Sequence, residues 1–211
     1  MSQHPAKSRR GRPDQASAPN IEPRVLSAAA HIFINEGYTA ATIDAIAAQA
    51  RASKRTVYSR FPSKMALFEA VVSDHIEQSF ASIAKLLQET VAKQTLDVRG
   101  RLLVIGKAFR AAATDPTSQA LERIVSAEAR TFPALVARFH HEGFTNAVKL
   151  VGRILADAGA KEPAIAANAF YHLLVVAPMR SGATLNEIDD LHVGKVIDFT
   201  LEGAGIHRRT K

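Results

Sequence analysis

The stretch from Thr42 to Phe68 constrains the fold more strongly than any other part of the sequence. Thr42, Ser53 and Ser63 each carry a hydroxyl that can accept a hydrogen bond from a free backbone N–H at the start of a helix. Val57 and Phe61 lie four residues apart, so they share one face of a helix that is too short to be stable alone. The spacing therefore predicts two short helices and the start of a third, packed together on an apolar core.

The second of these short helices has an apolar back and a polar front. Its other positions carry cations, hydroxyl groups and a phenol: Lys54, Arg55, Thr56, Tyr58, Ser59 and Arg60. Such a helix suits the major groove of DNA, where Lys and Arg pair with guanine and Thr contacts the thymine methyl group. The alternative interpretation is an ordinary solvated face.

The pattern extends along the chain in both directions. The run SKRTVYSRFPSKMALF and the preceding VLSAAAHIFINEGYTAATIDAIAAQA resemble the DNA-binding module of the TetR family of one-component transcriptional regulators, over roughly residues 24–72. Arg51 departs from the family pattern, which usually places Gly in the turn between the two short helices. If this residue is left-handed, Arg costs about 1 kcal/mol or more relative to Gly.

The resemblance implies a set of DNA contacts, carried over position by position. Phosphate contacts are expected from Thr42, Tyr58 and Lys64, and base or mixed contacts from Lys54, Arg55, Thr56 and Arg60. The resemblance also implies a repressor that binds double-stranded DNA at a palindromic operator. A later segment, SAEARTFPALVARF, resembles AcrR-like regulatory domains of the same family.

The composition predicts the architecture of the whole chain. It has 211 residues, of which 47% are hydrophobic and only 6% aromatic. Alanine is abundant and strand-like alternation is scarce, so we expect an all-α protein. Residues 21–68 are predicted to form a three-helix helix-turn-helix domain that binds DNA, and residues 69–205 a larger helical regulatory and dimerisation domain. A long helix that begins after Ser63 joins them.

Several classes of protein are excluded or disfavoured. The absence of cysteine excludes disulfides, thiolate zinc sites and cysteine nucleophiles. No apolar run approaches the roughly 20 residues that span a bilayer, and the N-terminus lacks an apolar signal region, so we expect a cytoplasmic protein without membrane contact. No phosphate-binding loop, serine elbow, carboxylate pair or metal-ligand spacing of histidines is recognisable. We therefore expect no enzyme activity, no metal and no cofactor.

Residues 1–20 are polar and basic, and they predict a disordered arm. Arg10 and Arg12 lie in an Arg-Gly-Arg-Pro run that resembles an AT-hook, in which arginines enter a narrow A·T-rich minor groove. The alternative is a flexible tail that attracts phosphates without reading the groove, consistent with the formal net charge of +7.

The last two predicted helices, at residues 163–182 and 187–202, carry more apolar side chains than one small domain must bury. We expect them to form a four-helix interface in a homodimer, with Asn186 as the N-cap of the final helix. The apolar residues behind this expectation are Leu173, Val176, Ile188, Leu191, Ile197 and Leu201.

The size of the second domain favours a cavity for a small hydrophobic or amphipathic effector. The predicted lining is Phe80, Phe109, Ile124, Phe144, Phe170, Leu173 and Met179, with His172 or Arg123 as the polar anchor. The alternative is that these side chains form only a solid core. In that case the protein would be a constitutive, architectural DNA-binding protein without a ligand.

Overall fold

A computed structural model describes residues 21–130, 132–180 and 189–206, and these residues form helices and no strand. The first four helices are α1 (Ile21–Ala40), α2 (Ile43–Gln49), α3 (Lys54–Arg60) and α4 (Lys64–Lys93). They are followed by α5 (Val98–Thr114), α6 (Pro116–Ala127) and α7 (Pro133–Asp157). The C-terminal part contains α8 (Pro163–Tyr171), a π-helical turn (His172–Val176), α9 (Ala177–Arg180) and α10 (Asp190–Gly203).

The predicted helix starts of the N-terminal unit are confirmed by their capping hydrogen bonds. Thr42 Oγ1 accepts from the N–H of Ala45 at 3.2 Å, and Ser53 Oγ accepts from the N–H of Thr56 at 3.0 Å. Ser63 Oγ caps α4 in the same way. Each bond satisfies a backbone donor that a short helix would otherwise leave unpaired.

Arg51 adopts the left-handed conformation, with φ of 49°, in the turn between α2 and α3. The guanidinium of Arg24, on α1, donates hydrogen bonds to the carbonyl oxygens of Ala50 at 2.5 Å and Arg51 at 3.5 Å. The carbonyls that end α2 are therefore tied to α1 by a charged donor. This contact offsets part of the cost of placing Arg where Gly would be relaxed.

A first buried cluster unites α1, α2, α3 and the beginning of α4. It includes Phe33 and Phe68, both fully buried, whose rings meet edge to face with centroids 5.0 Å apart. The cluster continues past Phe68 to Ile76, and Leu121 and Val125 of α6 belong to it. Helix α6 is thus part of the N-terminal core, although it comes after both α4 and α5 in the sequence.

A second buried cluster fills the space between α5, α7, α8 and α10. Phe170, Leu155 and Ile197 are fully buried there. Gly106 permits the close approach of α5 and α10, because a Cβ at this position would lie 2.8 Å from Cγ1 of Val193. Phe80, halfway along α4, packs against both clusters, so α4 links the two parts of the molecule.

Two features near the C-terminal end show where local sequence rules succeed and fail. The helix that begins at Pro163 widens into the π-helical turn just before Pro178, a residue without an N–H to donate, and continues as α9. The predicted N-cap at Asn186 is wrong: that residue lies outside the described part, and α10 begins at Asp190. Asp189 is extended there, and its carboxylate accepts from the N–H of His192 at 2.7 Å.

Candidate nucleic-acid interface and effector cavity

Helix α3 presents its polar side to solvent and its apolar side to the first cluster. Val57 is fully buried, whereas Lys54, Arg55 and Tyr58 are exposed. The N-terminus of α2, marked by exposed Thr42, lies close by, because Lys54 Nζ donates to Asp44 Oδ2 at 3.0 Å. The two helices together offer one surface with donors of the kind that contact DNA.

The cations of α3 differ in how strongly the protein holds them. Lys54 pairs with Asp44, whose hydrogen bond raises the pKa of the lysine, and Arg60 pairs with Glu22 of α1 at 2.9 Å. Arg55 makes no hydrogen bond or ion pair with any described residue. Among the described residues, Arg55 is therefore the cation of this helix that can reach a base edge without first leaving a protein partner.

The hydroxyl groups of the surface are partly used inside the protein. Thr56 Oγ1 lies 2.7 Å from Ser53 Oγ, and Ser59 Oγ donates to the carbonyl of Thr56. Thr42 Oγ1 accepts the capping bond, so its own hydrogen can still be donated to a phosphate. Arg10 and Arg12, predicted for the minor groove, lie outside the described residues.

Lys64 has a role that the sequence did not indicate. Its ammonium donates to the carbonyl oxygens of Tyr38 at 2.8 Å, Thr39 at 3.1 Å and Ala41 at 3.0 Å. It also lies 4.6 Å from the centroid of the Tyr38 ring. An ammonium has three donors, and all three are used within the protein, so a phosphate contact of Lys64, which stays a prediction, would have to replace one of them. In this structure the residue fixes the segment between α1 and α2.

A cavity of about 160 Å³ lies in the middle of the described part, between α4, α5, α6, α7 and the end of α8. Its apolar wall is formed by Ile76, Phe80, Ile83, Phe109 and Val175. Small residues widen it: Ala112, Ala113 and Gly143. The polar lining consists of His75, Ser79, Ser118, Glu122 and Tyr171.

The structure places the residues predicted for this lining in several different environments. Phe80 and Phe109 line the cavity, as predicted. Phe170 belongs to the second cluster and Leu173 packs against it, Ile124 packs against the first, and the rings of Phe144 and Tyr171 lie 5.9 Å apart between centroids. His172 and Arg123, predicted as the polar anchor, are exposed and do not line this cavity, and the side chain of Met179 lies outside the described part.

The polar lining was missed by the sequence analysis, although a signal was present. His75 and Ser79 are four residues apart on α4, and Ser118 and Glu122 are four apart on α6. Each pair therefore lies on one face of its helix, at positions next to the apolar residues that turn inward. Polar pairs on an inward face are the pattern that could have been recognised.

Burial sets the protonation of the polar lining. His75 Nε2 and Ser118 Oγ are 2.8 Å apart, and burial lowers the pKa of His75, so the ring is neutral near pH 7. Burial, followed by the charge of Glu122, raises the pKa of Tyr171, which stays a phenol. The described lining therefore presents neutral donors and acceptors beside the carboxylate of Glu122.

Helix α6 connects the cavity to the N-terminal unit. Ser118 and Glu122 face the cavity, whereas Leu121 and Val125 are buried in the first cluster. Beyond its end, Phe132 meets the ring of Tyr38 at 5.7 Å. A shift of α6 would therefore displace side chains in the core on which α2 and α3 pack.

Comparison with known proteins assigns the chain to a family. Residues 25–71 match the model described as bacterial regulatory proteins, tetR family, and residues 100–185 match the C-terminal domain of AefR-like transcriptional repressors. The chain belongs to the TetR family. The two matches together take up more than half of its length, and they cover the unit around α3 and most of the helices around the cavity.

Relatives and solved structures agree with this assignment. An HTH-type transcriptional activator, FasR, of Mycolicibacterium smegmatis is 35% identical over 86 residues, which cover 41% of this chain and 37% of that protein. An uncharacterized HTH-type regulator of Mycobacterium tuberculosis is 32% identical over 137 residues, 65% of this chain and 62% of the relative. The chain thus matches less than two thirds of the length of each of these relatives.

The fold is shared with solved structures of regulatory proteins. A transcriptional regulator from Mesorhizobium loti superposes with a TM-score of 0.70 at 24% identity, over 89% of this chain and 96% of the other. The flavonoid-responsive regulator FrrA superposes with a TM-score of 0.59 at 22% identity, over 90% and 98%. Within the described residues, no helix is both long and apolar enough to cross a membrane.

Proposed function

We propose that this TetR-family protein is a ligand-responsive transcriptional repressor that acts in the cytoplasm. It binds a palindromic operator as a homodimer and leaves it when a small hydrophobic or amphipathic molecule enters the cavity. The match of residues 100–185 to the AefR-like repressor domain supports repression over activation. No part of the proposal requires an enzyme activity or a cofactor.

The DNA contacts in this proposal come from α2, α3 and the arm. Arg55 reads a base, Lys54 and Arg60 exchange their carboxylate partners for DNA, and Tyr58 and Thr42 contact phosphates. Thr56 faces the groove with its methyl group, since its hydroxyl is hydrogen-bonded to Ser53. Arg10 and Arg12 add contacts in a neighbouring A·T-rich minor groove.

The dimer in this proposal forms through α8 and α10. Three of the most exposed large apolar side chains, Ile165, Leu191 and Phe199, lie on these two helices, each more than 60% accessible. Leu191 was predicted for the interface. Ile197 and Leu201 are buried in the chain's own core, Leu173 and Val176 are half-buried, and Ile188 lies outside the described residues. An apolar patch of this kind is typical of a protein–protein interface.

The main support for a ligand response is the position of α6, which forms part of the cavity wall and part of the N-terminal core. One face of this helix lines the cavity with Ser118 and Glu122, and another packs Leu121 and Val125 into the DNA-binding unit. A ligand that fits only one position of α6 would shift the balance between two arrangements of that unit. A constitutive architectural protein has no need for a cavity at this place.

One experiment separates the two functions. The full-length protein is used to select bound sequences from random duplex DNA, and fluorescence anisotropy on the recovered site then screens small apolar compounds for release. The regulator is supported if a palindrome is recovered and a compound releases it. Recovery of a site that no compound releases, or of A·T-rich DNA without a palindrome, favours the constitutive alternative.

A further inference from the structure

The size of the cavity limits what can occupy it. Its volume of about 160 Å³ is close to that of an engineered protein cavity of about 150 Å³ that holds one benzene molecule. The space exists because the facing positions are small: a Cβ on Gly143 would have Tyr171 Oη, at 3.8 Å, as its nearest neighbour. A single aromatic ring fits this volume.

The apolar wall is suited to an aromatic guest. The rings of Phe80 and Phe109 meet edge to face at 5.7 Å, and those of Phe109 and Tyr171 at 5.8 Å. All three line the cavity, so a guest ring would extend an existing series of edge-to-face contacts.

The polar wall selects against an anion and for a hydrogen-bonding group. None of the described residues that line the cavity is Lys or Arg, and Glu122 places a carboxylate there. A ligand carboxylate would lose its hydration without gaining a cation from these described residues. Tyr171 Oη and the neutral pair of His75 and Ser118 offer both donors and acceptors to a hydroxyl.

We infer that the cavity binds a neutral, single-ring aromatic molecule with a hydroxyl group, that is, a phenol. This inference rests on the proposed function, because it names the chemical class of the effector at that same site. The phenol ring lies against Phe80 and Phe109, and its hydroxyl faces Tyr171 and the His75–Ser118 pair.

The test uses the full-length protein without DNA, so that binding is measured apart from operator release. Calorimetry compares phenol and p-cresol with toluene, benzoate and decanoate as probes. The phenols are expected to bind roughly three- to tenfold more tightly than toluene, the range expected for one net hydrogen bond. Benzoate and decanoate are expected not to bind. Equal or tighter binding of benzoate or decanoate would overturn the inference.

Variants show whether binding occurs in this cavity. Gly143→Leu and Ala113→Leu fill it from two different helices, and each should abolish phenol binding in a protein that still melts cooperatively. Ala111→Leu makes the same replacement at an exposed position of α5 and should leave phenol affinity unchanged. Tyr171→Phe should reduce the preference for phenol over toluene. Unchanged phenol affinity in both cavity-filling variants would contradict the inference.

The outcome also separates this inference from the proposed function. If phenols bind but no compound releases the operator, the chemical class is right and the ligand-responsive function is wrong. If a different class of compound releases the operator, and Gly143→Leu prevents it, the function stands and the phenol assignment falls.

Discussion

Lys64 connects two segments that are distant in the sequence, and its three hydrogen bonds explain why the residue matters for α2. The carbonyls of Tyr38 and Thr39 lie just after Gly37, which has a φ of 79°, and α1 cannot pair them all internally. A cation at this negative end of the helix is favourable. Lys64 thereby holds the residues that precede Thr42, the N-cap of α2.

Lys64→Met keeps the aliphatic stem and removes only the charged donor. We expect it to lower the free energy of unfolding by roughly 1.5–3 kcal/mol, the range for hydrogen bonds to charged groups. Operator affinity should fall at 25 °C while the slope of log K against log salt concentration stays unchanged. Denaturant unfolding and anisotropy titrations over a range of salt concentrations measure both quantities.

Arg55→Met serves as the comparison on the same surface, because Arg55 has no described partner to lose. Its unfolding free energy should stay within about 0.5 kcal/mol of the wild type. Base preference at one position per half-site should relax, at a cost of about 1–3 kcal/mol. If Lys64→Met instead reduced the salt slope by about 0.9 per half-site with no loss of stability, Lys64 would be a phosphate contact after all.

His75 makes the stability of the protein depend on pH. Its pKa in the folded state is lowered from 6.5 by burial, and Asp115 and Asp74 oppose this shift only in part. The unfolded chain therefore takes up a proton first as the pH falls. Above pH 6.5 the ring is neutral in both states and the folded state keeps its full stability. As the pH falls below 6.5, protonation stabilises the unfolded chain more than the folded one, so the free energy of unfolding decreases.

Melting curves at pH 7.5 and pH 5.5 can test this effect. The wild type should lose more stability than His75→Gln between the two pH values, because the variant keeps a polar side chain but cannot be protonated. Other histidines contribute equally to both proteins, so the difference reports on His75. An identical loss in both would mean that burial of His75 has no influence on its protonation.

At the scale of elements, the contact between α5 and α10 depends on one glycine. A Cβ on Gly106 would lie 2.8 Å from Cγ1 of Val193, which is itself fully buried, so neither helix can yield easily. We expect Gly106→Ala to destabilise the protein by about 1–3 kcal/mol, as measured by denaturant unfolding. The gain in helix propensity, at most about 1 kcal/mol, would be outweighed.

Gly152→Ala on α7 is the matched replacement without a clash. Its Cβ would meet Ala167 Cβ and the carbonyl of Pro163 at 3.8 Å, which is ordinary contact. This variant should be as stable as the wild type or more stable by up to about 1 kcal/mol. Equal stability of the two alanine variants would show that α5 and α10 can separate at little cost.

Sequence reasoning succeeded at the elements whose signals are local. The starts of α2, α3 and α4 follow from a hydroxyl three residues before the N–H that it caps. The start of α10 was placed wrongly because Asn186 and Asp189 are both good N-cap residues. The choice between them depends on contacts of the finished fold.

The functional surfaces were predictable to different degrees. The polar front of α3 could be read from helical spacing, since Val57 and Phe61 define its back. The cavity could not be predicted in the same way, because it exists where side chains are small. Ala112, Ala113 and Gly143 line it. The sequence analysis selected large apolar residues such as Phe170, which fill space instead. Likewise, nothing near Lys64 in the sequence indicates its carbonyl partners.

At the scale of the whole molecule, ion pairs add to the buried contacts that hold helix α10 to the body of the protein. Arg99 of α5 donates to Asp198 at 2.8 Å, and Lys107 and Arg110 of α5 both contact Asp190. Leu191 and Phe199 are therefore presented on a helix that is held in place at both ends. A preorganised apolar surface loses little conformational entropy when a second copy covers it.

Replacing Phe199 with Glu should convert the proposed homodimer into a monomer, because a charge would be buried at the interface without a partner. A dimer places two copies of α3 about 34–36 Å apart, or a multiple of that distance, on one face of the DNA. The second half-site is then bound intramolecularly, so the monomer should bind the full operator 10²- to 10⁴-fold more weakly. Affinity for an isolated half-site should change little.

Leu86→Glu is the control, since Leu86 is also an exposed apolar residue but lies on α4. Sedimentation at micromolar concentration and anisotropy on full and half operators measure these effects. A wild-type protein that sediments as a monomer, or a Phe199→Glu variant that keeps full operator affinity, would rule out an interface built on α10.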